Sequence, residues 1–459
     1  VCYSLDSNEG AGLRPCHIIS RLRLIFPSLE LESGLSSKVW LATPASGLPL
    51  LFASVRSGLS EDLEDYLLYL KQNGEKNAAF LKRALSPAKK AKIDADRARD
   101  LFFSRGSVSV SRLETQALCP YMHFVNYGLK ALRSEDYKLN VRDAGSLLHD
   151  IMENCLALFN GRDLSALTRE EIFEAVDRIL KERAPQYRYG YLVSSLRALR
   201  QTDSLAVMAR IAVYEAVRQL AAGSFIQVGR EIVFDTNRDY PPISLATPAG
   251  ELKLRGVVDR ADMMYLQDER YVRIVDYKSG SDKFLPERVR DGTMLQLPLY
   301  MDAVLSAFKG AKAAGAFYFH IKELEGEEKI LLSGPAVNIP EVIEGMDANA
   351  LQGGSGVLNV KMGKNGLAGK NLLSPAAFDK LMDLAKITAG ELALNIAQGR
   401  IECSPVDYGE QETPCRYCEH YLLCGLKEKG VFLRRACEKL DLETDNQDSL
   451  ENGQEGGEN

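Results

Sequence analysis

The chain has 459 residues, long enough for two or three domains, and its 46% hydrophobic and 26% charged content is ordinary for a globular protein. No stretch has the apolar length of a helical membrane span and no basic-apolar signal peptide opens it, so the expected compartment is the cytoplasm, away from any membrane. The formal charge of −6 does not exclude a nucleic-acid partner. Residues 441–459 hold seven acids and no Lys or Arg, which leaves the rest at +1, and local patches outweigh the total. Nine cysteines in such a compartment argue against a disulfide framework. The first residue is Val1 rather than Met, as expected of a piece of a longer polypeptide.

Residues 1–105 carry no catalytic motif. Apolar residues gather over 22–31 around Phe26-Pro27, and 61–85 has helical periodicity through Leu63, Tyr66, Leu67, Leu70 and Leu85. Residues 86–99 are rich in Lys and Arg and read as an exposed helix or linker, because charge runs are usually solvated. A helix start follows, with Ser111 as N-cap and Glu114 three residues on, and it runs into Cys119-Pro120. Residues 143–159 form an amphipathic helix with Leu147, Leu148, Ile151, Met152, Leu156 and Phe159 on its apolar side and His149 among them. Helices over 169–183 and 204–220 are expected to cap a sheet. A strand begins over 231–235, where Glu231 is either an outer acidic residue near a site or, the favoured reading, a strand-surface acid.

The chemistry concentrates in 254–300. Two β-like runs, 254–264 and 271–277, flank a polar turn over 266–270, which predicts a hairpin. Asp276 and Lys278 are two apart and project to one face of a strand; Asp259 lies on the neighbouring strand. Acids and lysines on strands are usually the wet face of an antiparallel sheet. Here, however, Asp259 and Asp276 close the apolar pairs Val257-Val258 and Ile274-Val275, where a solvated face would alternate. Two carboxylates suit a hard cation such as Mg²⁺, and a nearby lysine can orient or activate a water for attack on phosphorus. Gln296 and Tyr300, four apart, share a helical face just downstream.

Gly256-Val257-Val258-Asp259-Arg260, Val275-Asp276-Tyr277-Lys278-Ser279-Gly280 and Gln296-Leu297-Pro298-Leu299-Tyr300 resemble the core of the RecB-type nucleases of the PD-(D/E)XK superfamily. The resemblance implies an α/β fold with a mixed β-sheet and helical insertions. It also implies Asp259, Asp276, Lys278, Gln296 and Tyr300 as the catalytic set, and a metal held by His149, Asp259, Asp276 and the Tyr277 carbonyl. Gly145-Ser146-Leu147-Leu148-His149 matches the family's histidine-bearing helix.

Beyond the hairpin, 314–321 reads as a further strand, 325–373 as an insertion with short hairpins, and 378–398 as an amphipathic helix. The segment 363–370 looks like a phosphate loop but lacks its glycine spacing, and Asn371 follows Lys370, so the chain shows no ATP site. After Cys437 the acidic, Gly- and Asn-rich tail is expected to stay unfolded.

Cys415, Cys418 and Cys424 form a C-x2-C-x5-C group, and Cys119 is the best fourth thiol; Cys403 and the other cysteines read as scattered core residues. Four thiolates suit zinc or an iron–sulfur cluster, and spacing does not choose between them. One cysteine before a nuclease core and three after it resemble the clasp of AddB-type nucleases, which implies a 4Fe-4S cluster. On that resemblance the expected organisation is a helicase-like remnant over 1–106, a RecB-like nuclease with its iron–sulfur clasp over 107–430 and a disordered tail over 431–459. The implied function is Mg²⁺-dependent DNA exonuclease action in double-strand break repair. It would act on single-stranded ends with an AddA-like helicase–nuclease partner, and ATP would be used only in the intact complex. The alternatives are a shorter CRISPR-adaptation nuclease with the same clasp, into which 1–105 fits poorly, and a non-catalytic DNA-binding scaffold.

Overall fold

The computed structural model describes residues 17–28, 61–72, 92–104, 106–131, 139, 141–238, 240–247, 250–280, 283–321, 329–364, 366–409, 413–424, 433–437, 440 and 442–443. The chain divides into two compact units, Val1–Ala88 with Lys427–Gly430, and Lys89–Leu426 with Val431–Asn459. In the first, α1 (His17–Ile25) and α2 (Glu61–Gln72) are described, and α2 buries Tyr66 and Leu70. The helical periodicity expected over 61–85 is met as far as Gln72, and the remainder lies outside the described residues.

The second unit starts earlier than the residue patterns suggest. Helix α3 (Ala95–Phe103) is capped by Asp94, whose carboxylate accepts from the amides of Asp96 and Arg97, and its Ala98 and Phe102 are buried in the main core. Helix α3, which precedes the expected boundary at residue 106, thus belongs to the second unit, because its apolar side needs covering. Helix α4 (Val110–Leu118) follows with Ser109, not Ser111, at its N-cap and no side-chain capping bond. Glu114 turns away from the expected capping box and bonds to a distant part of the chain.

The sheet has eight strands among the described residues. Strand β4 (Gly250–Leu266) is its spine, bordered by β1 (Val108–Ser109), β2 (Ile226–Phe234) and β3 (Ile243–Thr247). It pairs antiparallel with β5 (Glu269–Lys278), so the expected hairpin forms, with Gln267 at φ +56° in the turn. β5 then runs parallel to β6 (Ala311–His320), which requires a crossover, and α8 (Gln296–Ala307) supplies it.

Helices cover both faces of this sheet. On one side α5 (Val141–Phe159), α6 (Arg169–Arg183) and α7 (Leu196–Ala221) bury Val275, Tyr277, Phe317 and Phe319. On the other, α3, α4, α8 and α9 (Pro375–Ala397) bury Val272, Ile274, Ala316 and Tyr318. Alternate residues of β5 and β6 therefore enter opposite cores, which is why these strands read as nearly continuous apolar runs. Charges placed inside must pair. Arg260, Asp262 and Arg273 are fully buried, with Asp262 Oδ2 accepting from Arg260 Nε at 3.1 Å and Arg273 Nε at 2.9 Å, and Arg273 lies over the Phe225 ring.

The start of the C-terminal segment is ordered against α9. Leu440 and Leu442 are buried, and Glu443 accepts from the Ser374 amide at 2.7 Å and its hydroxyl at 2.8 Å at the head of α9. Within the expected unfolded tail over 431–459, Leu440 and Leu442 are thus buried, and most of that stretch lies outside the described residues.

Candidate active site

The site is assembled where the C-terminal end of β5 meets α5, β2 and α8. Asp259 on β4 is held by the backbone of β5, its Oδ2 accepting from the Tyr277 amide at 2.6 Å. Its other neighbour is His149 of α5, with Nδ1 3.4 Å from the same oxygen. Burial alone would pull the His149 imidazolium down, but the Asp259 carboxylate outweighs it and holds that group above its ordinary value. The His149 ring stands edge-on to buried Tyr277, 5.7 Å between centroids, so the strand fixes its position.

Glu231 completes this group. One ligand atom each from His149, Glu231 and Asp259 all lie within 4.8 Å of one another. Register explains the meeting: Arg230 opposes Arg260 and Ile232 opposes Val258, which sets Glu231 across from Asp259. Like charges directly opposite on paired strands repel. Burial, then Asp259 and Glu153, push Glu231 up to about 7. From its sequence neighbours Glu231 is expected to be a surface acid. A register shift between Gln227 and Gly229 and a φ of +44° at Glu231 itself re-aim the strand, and residue alternation does not reveal either feature.

Asp276 and Lys278 project together from β5, as the spacing predicts, and ion-pair at 2.5 Å. Burial pushes Asp276 up to about 6, with Lys278 opposing and Asp259 adding to the rise. Burial works against the Lys278 ammonium, but Asp276 outweighs it and keeps the amine above its ordinary value. Lys278 Nζ also donates to Gln296 Oε1 at 2.7 Å. The lysine is thereby a cation aimed by two partners, suited to hold a water or a phosphate oxygen.

Gln296 opens α8, and Glu114 of α4 caps that helix, accepting from the amides of Leu295 at 2.8 Å and Gln296 at 3.2 Å. Burial raises Glu114 to about 7. Tyr300, one turn on, is buried against β4: a Cβ on Gly256 would sit 2.4 Å from its ring. This close approach accounts for glycine in the Gly256-Val257-Val258-Asp259 run. Tyr300 is thus a packing residue between α8 and β4, whose Val257 amide bonds to its hydroxyl and whose burial holds that phenol far above its ordinary range. An open cleft of about 720 Å³ is lined by His149, Glu153, Glu231, Lys278 and Ser279.

The thiols converge in the same unit. Cys119, between α4 and the turn beginning at Pro120, is held down to about 6, first by a hydrogen bond from Cys403 and then by backbone amides, against its burial. Cys424 also touches Cys403, and Cys119, Cys418 and Cys424 interact electrostatically with Cys415. Cys403, expected to be a scattered core residue, is therefore a fifth member, brought in where Glu402 O accepts from the Tyr121 amide at 3.1 Å. Arg434 ties the last segment down, donating to Ser404 O at 2.9 Å and to Ala117 O.

The family model described as the PD-(D/E)XK nuclease superfamily matches residues 107–425. The chain is similar to an ATP-dependent helicase/deoxyribonuclease subunit, of the B type, from Alkaliphilus oremlandii, with 28% identity over 92% of this chain and 40% of that protein. Proteins of the same name from Clostridium tetani and Caldanaerobacter subterraneus are each 30% identical, over 96% and 95% of this chain and 42% and 41% of theirs. The chain thus spans under half the length of these relatives. With the match covering both the sheet and the helices that carry the acidic cleft, the chain belongs to the PD-(D/E)XK nuclease superfamily.

Proposed function

We propose that this chain hydrolyses DNA phosphodiesters with a divalent cation, Mg²⁺ by its oxygen-rich donor set, held by His149, Glu231 and Asp259, with Asp276 and the Tyr277 carbonyl beside them. The observation that carries this reading is the approach of three ligand atoms within 4.8 Å, next to a lysine aimed by Asp276 and Gln296. The cation, when bound, neutralises charge on the phosphoryl group and acidifies water. Lys278 orients the attacking water and stabilises developing negative charge; Gln296 fixes the amine, and Glu114 fixes Gln296 through the helix head. Tyr300 keeps α8 seated on β4. Incubation with labelled single-stranded DNA and Mg²⁺ should give cleavage that Asp276→Ala abolishes. Absence of cleavage, or equal cleavage by the variant, would favour a DNA-binding scaffold instead.

By likeness to the relatives from Alkaliphilus, Clostridium and Caldanaerobacter, the chain is the nuclease part of an ATP-dependent helicase/deoxyribonuclease. It would resect double-strand breaks beside an AddA-like partner, with ATP used for unwinding. Cys119, Cys415, Cys418 and Cys424 would hold a 4Fe-4S cluster as a structural staple. The donor set is all thiol, and Cys119, Cys418 and Cys424 all interact with Cys415. Four thiolates suit zinc as well, and it is the likeness to the AddB-type clasp that favours the cluster. Anaerobically purified protein should be brown, with a broad visible band; colourless protein carrying zinc would overturn this assignment.

A further inference from the structure

A second cavity, of about 620 Å³, lies immediately beyond the cleft, and Ser279 and Gly280, the residues after Lys278, line both. Its other side comes from 329–371, the insertion for which the sequence offered no role. Its floor is apolar, including Leu332, Leu358 and Val360. Lys283, Lys329 and Lys370, all exposed, contribute to its lining, and no Asp or Glu lines it among the described residues. Three lysines on the lining offer a seat for an anion, and the apolar floor suits a flat ring. The volume lies within the range of small-molecule sites, roughly 300–1,000 Å³.

We propose that this cavity seats the nucleotide adjoining the scissile phosphate. The single strand crosses the Ser279-Gly280 ridge, its base rests on the apolar floor, and the lysines hold its phosphates. The proposal rests on the nuclease reading of the neighbouring cleft but is tested by binding alone. The probe is fluorescein-labelled oligodeoxythymidylate, titrated with the full chain in a chelator so that no cleavage occurs.

The combined variant Lys283→Ala, Lys329→Ala, Lys370→Ala should bind roughly tenfold more weakly, and its salt dependence should flatten by about 2 in log–log slope. Asn359→Trp, which fills the cavity from an exposed position, should also weaken binding roughly tenfold while leaving the salt slope unchanged. An abasic nucleotide moved along the probe should weaken binding to the parent at one or two positions and leave Asn359→Trp indifferent. If Asn359→Trp binds like the parent, the lysines act only as surface charge and the proposal falls. If both variants bind like the parent, the cavity takes another ligand, such as an acidic protein segment, and it falls as well. A parent protein that shows the abasic pattern but does not cut with Mg²⁺ would sink the nuclease reading and leave the cavity's role standing.

Discussion

The acidic cleft and the thiol cluster, the two metal sites proposed above, are built in opposite ways. The cleft sits on continuous strands: β2, β4 and β5 fix Glu231, Asp259 and Asp276 by register, and backbone and side-chain bonds hold Asp259 and Lys278. The thiols come from two separated stretches, Cys119 after α4 and Cys403–Cys424 after α9, joined through short turns and hydrogen bonds such as Tyr121 to Glu402. A strand register organises ligands before any ion arrives. A cluster drawn from two stretches depends on what it binds to stay closed. The first place should therefore govern chemistry and the second stability.

The largest expected contrast comes from breaking each in turn. Lys278→Ala should lower kcat for DNA cleavage by about 10²–10⁴-fold in protein that remains folded. Cys418→Ala should do the reverse, lowering thermal stability and DNA affinity before it affects the chemical step. A staple closing a loop on the order of 300 residues contributes up to about 5 kcal/mol by the entropy of the unfolded chain. Parallel thermal melts and single-turnover cleavage separate the two, and full stability of Cys418→Ala would refute the staple.

Glu231→Gln sharpens the first half of the comparison. It should weaken divalent binding about 10–100-fold, read as a higher metal concentration for half-maximal cleavage, with kcat recovered at saturation. Unaltered metal dependence would return Glu231 to the role of a strand acid.

A smaller effect concerns pH beside the thiol cluster. His123 is buried between Phe102 and Tyr127, and burial, aided by Arg112, pulls it down to about 3. Its folded value lies below its unfolded one. The stability it contributes is therefore complete above pH 6.5 and is lost as pH falls from there toward 3. Urea denaturation at pH 7, 6 and 5 should show His123→Phe losing less stability with acid than the parent, by at most about 1.4 kcal/mol per pH unit. Identical slopes would place the acid sensitivity elsewhere.

Much of the cleft was legible in the sequence because its signals are local. An acid ending an apolar pair, a lysine two residues on and a glutamine and tyrosine four apart each survive as strand and helix neighbours. What escaped depends on how distant segments meet. Glu231, for which a place near the site was the lesser reading, needed a strand irregularity, and Glu114, placed as if for a capping box, turns to the head of α8 instead. Arg260, Asp262 and Arg273 alternate like a wet face, yet helices on both sides of the sheet bury them, and they pair with one another, with Tyr277 and with the Phe225 ring. Cys403 lacked a spacing partner and is joined to the thiols by the fold alone.

Ion binding at the strand cluster is what everything else leans on, and electron paramagnetic resonance can count it with Mn²⁺ as the probe. A saturable high-affinity ion is expected in the parent; it should disappear in both Asp259→Ala and His149→Ala, while Cys418→Ala, where folded, retains it. Unchanged Mn²⁺ binding in the first two variants would contradict the assignment of that cluster as the metal centre.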